Sequence, residues 1–207
     1  MTKLLIVLIF FGVLFTSYNF INTYHKINSN NIPVLNNSEK YRVENQLNIV
    51  KKLVDTNSKF NNGIAFFIDM KIHSGKNRFF IYDLKNNKLI DDGLVAHGSG
   101  SEMQVAGILK FSNTNNSFCT SLGKYSIENS YVGKFGKAYK LFGLDATNSN
   151  AFDRNIVLHK YTDVPYEEQE APICNSLGCP MVNEKFYNRI EKIIDNSKTK
   201  IILNIYY

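Results

Sequence analysis

The sequence predicts an α+β domain that is mostly β with flanking helices. Three observations predict it. Short apolar, β-branched runs separated by turn residues fill residues 64 to 97 and return near residue 201; only two stretches carry a helical apolar stripe; and strands do not alternate regularly with helices, which disfavours a doubly wound parallel sheet. The 207 residues suit one such domain, since about 150 residues already bury roughly 70% of their unfolded surface.

Residues 1–20 read as a signal peptide or N-terminal anchor, because Lys3 precedes the apolar run Leu4 to Phe15 and the chain then turns polar at Thr16, Ser17, Tyr18 and Asn19. The twelve residues of that run fit a signal core of about 7 to 15, whereas a bilayer span needs about 20. No small-residue cleavage site follows, so a membrane tether through residues 4–21 stays open. Residues 21–38, rich in Asn and Ser with one Pro, read as a linker, and the domain is expected over 39–207 with a helical lead-in at 39–58. There Val43, Leu47, Val50 and Val54 form one apolar stripe before the breaker cluster Asn57 to Gly63.

Strand candidates follow at Ile64 to Met70, Arg78 to Leu84 and Leu89 to His97, the last two joined by the turn Lys85-Asn86-Asn87-Lys88. Asn155 to His159 is a short strand candidate. Asn183 is placed to cap an amphipathic helix carrying Phe186, Ile190 and Ile193, and Ile201 to Tyr206 closes as a final strand. The net charge of +6 favours an acidic partner, but the basic residues, among them Lys71, Lys76, Arg78, Lys124, Lys134, Lys137 and Lys140, are dispersed. With no dense run and no nucleic-acid motif, a solvated basic surface is expected and a nucleic-acid partner is not.

The most informative stretch is Asn175-Ser176-Leu177-Gly178-Cys179-Pro180. Gly178 permits unusual dihedrals and Pro180 pushes its predecessor away from helical geometry, so Cys179 belongs on a constrained loop. A thiol with a pKa near 8.5 becomes a nucleophile when a base takes its proton, and His159 stands twenty residues upstream. On spacing alone a small buried cysteine and a hydrogen-bonded structural histidine explain the pair equally well. Zinc is disfavoured and no metal is expected: Cys174 and Cys179 have no paired histidine motif beside them.

More of the chain follows a pattern. "VAHGSG" (Val95 to Gly100), "FSNTNNSFCTSLGKYSI" (Phe111 to Ile127), "YVGKFG" (Tyr131 to Gly136), "LFGLDATNSNAFDRNIVLH" (Leu141 to His159) and "SLGCP" together resemble the murein L,D-transpeptidase catalytic-domain family, the YkuD-like cysteine enzymes that cross-link peptidoglycan. The resemblance implies a β-sandwich catalytic domain with Cys179 as nucleophile and His159 as general base, attacking the amide between meso-diaminopimelate and D-alanine in a tetrapeptide stem and passing the acyl group to an amine. It implies no cofactor, peptidoglycan stem peptides as partners, a monomer, and export to the periplasm or cell envelope.

Ser176, Gly178 and Cys179 lie where this family shapes its oxyanion pocket, with the Gly178 and Cys179 N–H groups as donors. His97 either lines the donor pocket or faces solvent on a turn. Ser121-Leu122-Gly123 before Tyr125 resembles the family's turn into its substrate-facing strand, and Arg154 and Asn148 fit a loop-orienting pattern. Three departures stand out: Asn175 where the subgroup usually has arginine, Lys160 where it commonly has glycine, and Leu177 where many broader members have histidine. The alternatives are an L,D-carboxypeptidase of the same fold, with water as acceptor, and an inactive wall-binding module. If Cys179 stays a free thiol in an oxidising compartment, Cys119 and Cys174 are the pair left for a disulfide; two unpaired buried thiols are the alternative.

Overall fold

The computed structural model describes residues 35–207 apart from Ala106, so the expected signal peptide or anchor and most of the expected linker lie outside the described residues. Helix α1 (Asn37–Asp55) begins before Glu39 because Asn36 caps it. The Asn36 side chain accepts from the Glu39 N–H at 3.0 Å and the Glu39 carboxylate accepts from the Asn36 N–H at 2.8 Å. This reciprocal box satisfies two otherwise unpaired donors, and it makes Glu39 the third residue of the helix. The predicted stripe of Val43, Leu47, Val50 and Val54 is buried against Ala65, Phe67, Phe80, Tyr82 and Ile202.

Nine strands follow: β1 (Phe60–Asp69), β2 (Phe79–Asp83), β3 (Lys88–Gly93), β4 (Val95–Ala96), β5 (Gly123–Gly133), β6 (Gly136–Gly143), β7 (Val157–Lys160), β8 (Met181–Val182) and β9 (Lys200–Tyr206). Helix α2 (Glu184–Asp195) lies between β8 and β9 and is capped by Asn183, whose side chain accepts from the Lys185 N–H at 2.8 Å. The strands form one sheet in the order β3-β2-β1-β9-β5-β6-β7-β8-β4. Pairs β1/β9 and β7/β8 are parallel and the other pairs antiparallel.

The mostly β architecture with two helices is as the sequence predicts, but the layers arise differently from two separate sheets. Strands β3 and β4 stand at opposite ends of the order, yet only Leu94 separates them in the chain. The sheet must therefore curl until its two edges meet, and the single expected strand Leu89 to His97 is split between them. The expected breaker cluster also gives way: Phe60 to Gly63 already belong to β1, with a register irregularity between Phe60 and Ala65.

One basic residue leaves the surface altogether. Arg78, expected in the solvated basic set, is 1% exposed. Its guanidinium donates to the Val95 carbonyl at 3.0 and 2.7 Å and to the Ile72 carbonyl at 3.2 Å, so it pins β4 where the chain crosses from one sheet edge to the other. Burial without a directly bound carboxylate pulls its pKa down to about 10.

Candidate active site

Parallel pairing of β7 with β8 sets the geometry. His159 lies opposite Met181 in that pair, and Cys179 sits on the bend two residues before β8. From there its thiol reaches the start of β7, the Val157 N–H donating to Cys179 Sγ at 3.4 Å, two residues before His159 on that strand. The thiol itself donates to the Asn155 carbonyl at 3.7 Å. Asn155 turns that carbonyl inward from a left-handed backbone (φ 55), a conformation that asparagine tolerates better than most residues.

The loop before the thiol is held by close backbone approach. Gly178 has φ +117, and a Cβ there would stand 3.0 Å from the Cys119 carbonyl oxygen, so a side chain is excluded twice over. Ser176 donates its N–H to the His97 carbonyl at 2.8 Å and accepts from the Ser99 N–H at 2.7 Å, which ties the "VAHGSG" segment to "SLGCP". Gly98 lets a third segment in: a Cβ there would lie 2.1 Å from the Phe118 carbonyl oxygen.

The two expected oxyanion donors are not equivalent. The Ser176 hydroxyl accepts from the Gly178 N–H at 3.0 Å, whereas the Cys179 N–H has no acceptor among the described residues. Ser176 thus acts on the loop's shape and the Cys179 N–H points free.

His159 is buried at 3% exposure. Its Nδ1 lies 2.9 Å from the Lys160 carbonyl. A carbonyl oxygen only accepts, so Nδ1 carries the proton and Nε2 the lone pair. Phe135, at the tip of the β5–β6 hairpin, stacks on the imidazole with centroids 4.6 Å apart at 21°, and Tyr161 meets Phe135 edge-on at 5.7 Å. Lys160, the departure from glycine, contributes its backbone to this arrangement while its ammonium pairs with Glu184.

No hydrogen bond joins Cys179 Sγ to His159, because the thiol is turned to Asn155 and Val157. Burial pushes the Cys179 thiol up, against the pull of the Val157 N–H and the Arg154 charge, and burial pulls His159 down. The resting pair is therefore a neutral thiol and a neutral imidazole. Arg154 braces the neighbourhood by donating to the carbonyls of Cys119 at 2.7 Å and Ser112 at 2.9 Å and to the Ser121 hydroxyl at 3.2 Å. Asn148 likewise orders a loop, donating to the Lys124 carbonyl at 2.8 Å and accepting from the Asp145 N–H at 2.9 Å.

His97 does not face solvent. It is 3% exposed and both ring nitrogens are used: Arg78 Nη2 donates to Nδ1 at 2.8 Å, and Nε2–H donates to Glu102 at 2.8 Å. Asn175 donates to the same Glu102 carboxylate at 3.4 Å, so the residue standing at the subgroup's arginine position joins this network. All three cysteines are free thiols. Cys119 donates to the Gly100 carbonyl at 3.0 Å, and Cys174 packs on the cluster of Leu94, Ala96, Val164, Ile173 and Met181, so of the two outcomes left open the unpaired one holds.

A cleft of 290 Å³ opens beside the thiol, lined by Tyr131, Lys140, Phe152, Asn155, Ile156 and Val157. A larger hollow of 680 Å³, which includes Lys59, Glu128, Tyr139 and Asp195, shares no residue with it.

Residues 35–206 match the family model described as the L,D-transpeptidase catalytic domain. The chain belongs to that family. No curated protein matches it. Among solved structures, an L,D-transpeptidase from Xylanimonas cellulosilytica is similar at 13% identity and TM-score 0.38, over 70% of this chain and 60% of that one. An L,D-transpeptidase from Mycobacterium smegmatis is similar at 8% identity and TM-score 0.39, over 70% and 59%. The helical cell shape determining protein of Campylobacter jejuni is similar at 9% identity and TM-score 0.43, over 69% and 46%. The match thus spans about half to three fifths of the length of those chains.

Sequence reasoning missed several residues around this L,D-transpeptidase-family site. Phe135 was visible only as part of "YVGKFG", and Lys140 only as one of several dispersed lysines. Glu102 and the inward Asn155 carbonyl carried no signal, since the first depends on a neighbouring loop and the second on a single backbone dihedral.

Proposed function

We propose that this domain is an exported cysteine L,D-transpeptidase that forms an acyl-enzyme on Cys179. The observation that carries the reading is the contact of Cys179 Sγ with the Val157 N–H, two residues before His159 on β7, with the Nε2 lone pair of His159 uncommitted. Cys179 Sγ attacks the carbonyl carbon between diaminopimelate and D-alanine, and the thiol proton passes to His159 Nε2 as substrate draws the sulfur from its resting contact with Asn155. The Cys179 N–H donates to the oxyanion. Collapse breaks the C–N bond, His159 returns the proton to the departing amine of D-alanine, and a thioester remains. An acceptor amine then attacks the thioester, loses its proton to His159, and releases the thiol as the new amide forms.

Because the resting pair is neutral, attack and proton transfer are coupled. Ser176 and His97 contribute by holding the loop, and Gly178 by allowing its close approach. The apolar run Leu4 to Phe15 directs the chain to the periplasm or cell envelope, where its stem-peptide substrate lies, and the domain works as a monomer without metal or cofactor.

The test is to incubate the protein with purified tetrapeptide-stem muropeptides, with and without an added amine, and follow protein and products by mass spectrometry. Expected are a thioester on the Cys179 peptide, released D-alanine, and a cross-linked product when the amine is present. Release of D-alanine with hydrolysis alone would make the enzyme a carboxypeptidase. Turnover by Cys179→Ser near that of the unmodified protein would refute the nucleophile.

A further inference from the structure

We propose that Lys140 recognises a carboxylate of the acyl-donor peptide and so sets specificity in the cleft beside the thiol; this rests on the L,D-transpeptidase reading above. In the antiparallel pair β6/β7, Lys140 lies opposite Val157, the residue whose N–H meets Cys179 Sγ. Lys140 therefore stands one strand across from the residue that touches the thiol, on the face that carries His159. With paired strands about 4.8 Å apart, that places the Lys140 backbone within about 10 Å of the sulfur, a gap that one substrate residue bridges.

The state of the ammonium carries the argument. Lys140 Nζ lies 4.7 Å from the Phe152 ring centroid and 5.9 Å from that of Tyr131, so two aromatic faces hold the side chain over the cleft. The other lysines within β5, β6 and β7 are neutralised: Lys124 by Asp145, Lys137 by Glu191 and Asp195, Lys160 by Glu184. Among the described residues Lys140 has no carboxylate partner, and no acidic residue lines the cleft. Aromatic faces engage the cation but accept none of its N–H bonds as an oxygen would, which leaves donors for an anion. The volume of 290 Å³ takes the end of a peptide and not a whole stem.

The donor peptide offers two carboxylates close to the scissile bond, that of the leaving D-alanine and that of the second centre of diaminopimelate. Binding is measured by calorimetry on the Cys179→Ser protein, with the tetrapeptide acid and with two derivatives, one amidated at D-alanine and one at the second centre. Each is compared with Lys140, Lys140→Gln and Lys140→Arg. The acid is expected to bind about tenfold more weakly to Lys140→Gln, with affinity largely restored by Lys140→Arg. One of the two amides should bind Lys140 and Lys140→Gln alike, and that amide identifies the carboxylate. Equal losses for all three peptides, or no loss, would overturn the proposal while leaving acylation of Cys179 intact. If no peptide binds and none acylates the unmodified protein, the transpeptidase reading fails and this inference with it.

Discussion

His97 and His159 have the same burial, 3% exposed, and in both burial lowers the imidazole pKa, yet the regions around them use the ring in opposite ways. At His97 a guanidinium, which only donates, faces Nδ1, so the proton sits on Nε2 and goes to Glu102. At His159 a carbonyl, which only accepts, faces Nδ1, so the proton sits there and Nε2 is open. The first ring closes a chain of bonds from the sheet edge to the loop of Asn175. The second leaves one bond unmade, and that vacancy is what a base needs. Burial and depressed pKa do not tell the two rings apart; the tautomer does.

The sharpest way to break the comparison is to remove each ring. His159→Ala is expected to lower turnover by about 10²–10⁴-fold, the usual worth of a positioned base, with a small change in thermal stability. His97→Ala takes one hydrogen-bond partner each from Arg78 and Glu102 and is expected to cost about 1–3 kcal/mol of stability, with a lesser effect on turnover of the folded protein. Single-turnover rates beside denaturant titrations would show it, and the opposite pattern would exchange the two roles.

A smaller effect separates them by pH. Burial favours neutral His159, the base form, so kcat/KM should hold as pH falls past the ordinary imidazole value of 6.5 and decline only through the lowered pKa. In that window the unfolded chain binds more protons than the folded one at both histidines, so stability is fully present above 6.5 and is lost on acidification. In His97→Ala the acid limb of activity should remain while part of the acid loss of stability disappears. An acid limb above 6.5 in the unmodified protein would contradict the neutral resting pair.

The smallest expected effect concerns Phe135, which is 40% exposed and contributes little to the core. Phe135→Leu removes the ring stacked on His159 and should lower kcat about threefold, within the worth of one aromatic pair, with KM nearly unchanged. The acid limb should move up towards 6.5 as the imidazole gains water. A pure stability loss with unchanged kcat would mean that the stack only packs the hairpin.

Both described α-helices, the Asn183 cap and the strands β1, β2, β7 and β9 were legible because periodicity and capping are local, whereas the Asn36 cap fell in the expected linker and β5, β6 and β8 carried no strand expectation. Cys179 and His159 were nominated through Gly178, Pro180 and the ordered motifs. Tertiary facts were hidden. Nothing local distinguishes Arg78 from the exposed lysines, yet its guanidinium is consumed by carbonyls at a crossing point that depends on sheet order. The turn of the thiol towards Asn155, and the capture of the Gly178 N–H by Ser176, are decided by single dihedrals that composition does not encode. The choice left open for Cys119 and Cys174 falls on two unpaired thiols because they are engaged in different surroundings, one beside Gly100 and the other in the Leu94 cluster.

Strand β9 follows every other strand in the chain, yet it is inserted in the middle of the sheet, between β1 and β5. A ribosome delivers this protein N-terminus first, so β1 to β3 and β5 to β8 are made as two unjoined blocks. Until residues 200 to 206 are added, no ladder of hydrogen bonds links them. The seam at Leu94 then has to close across blocks that β9 has only just registered. Assembly of the surroundings of Cys179 therefore waits, in this topology, for β9.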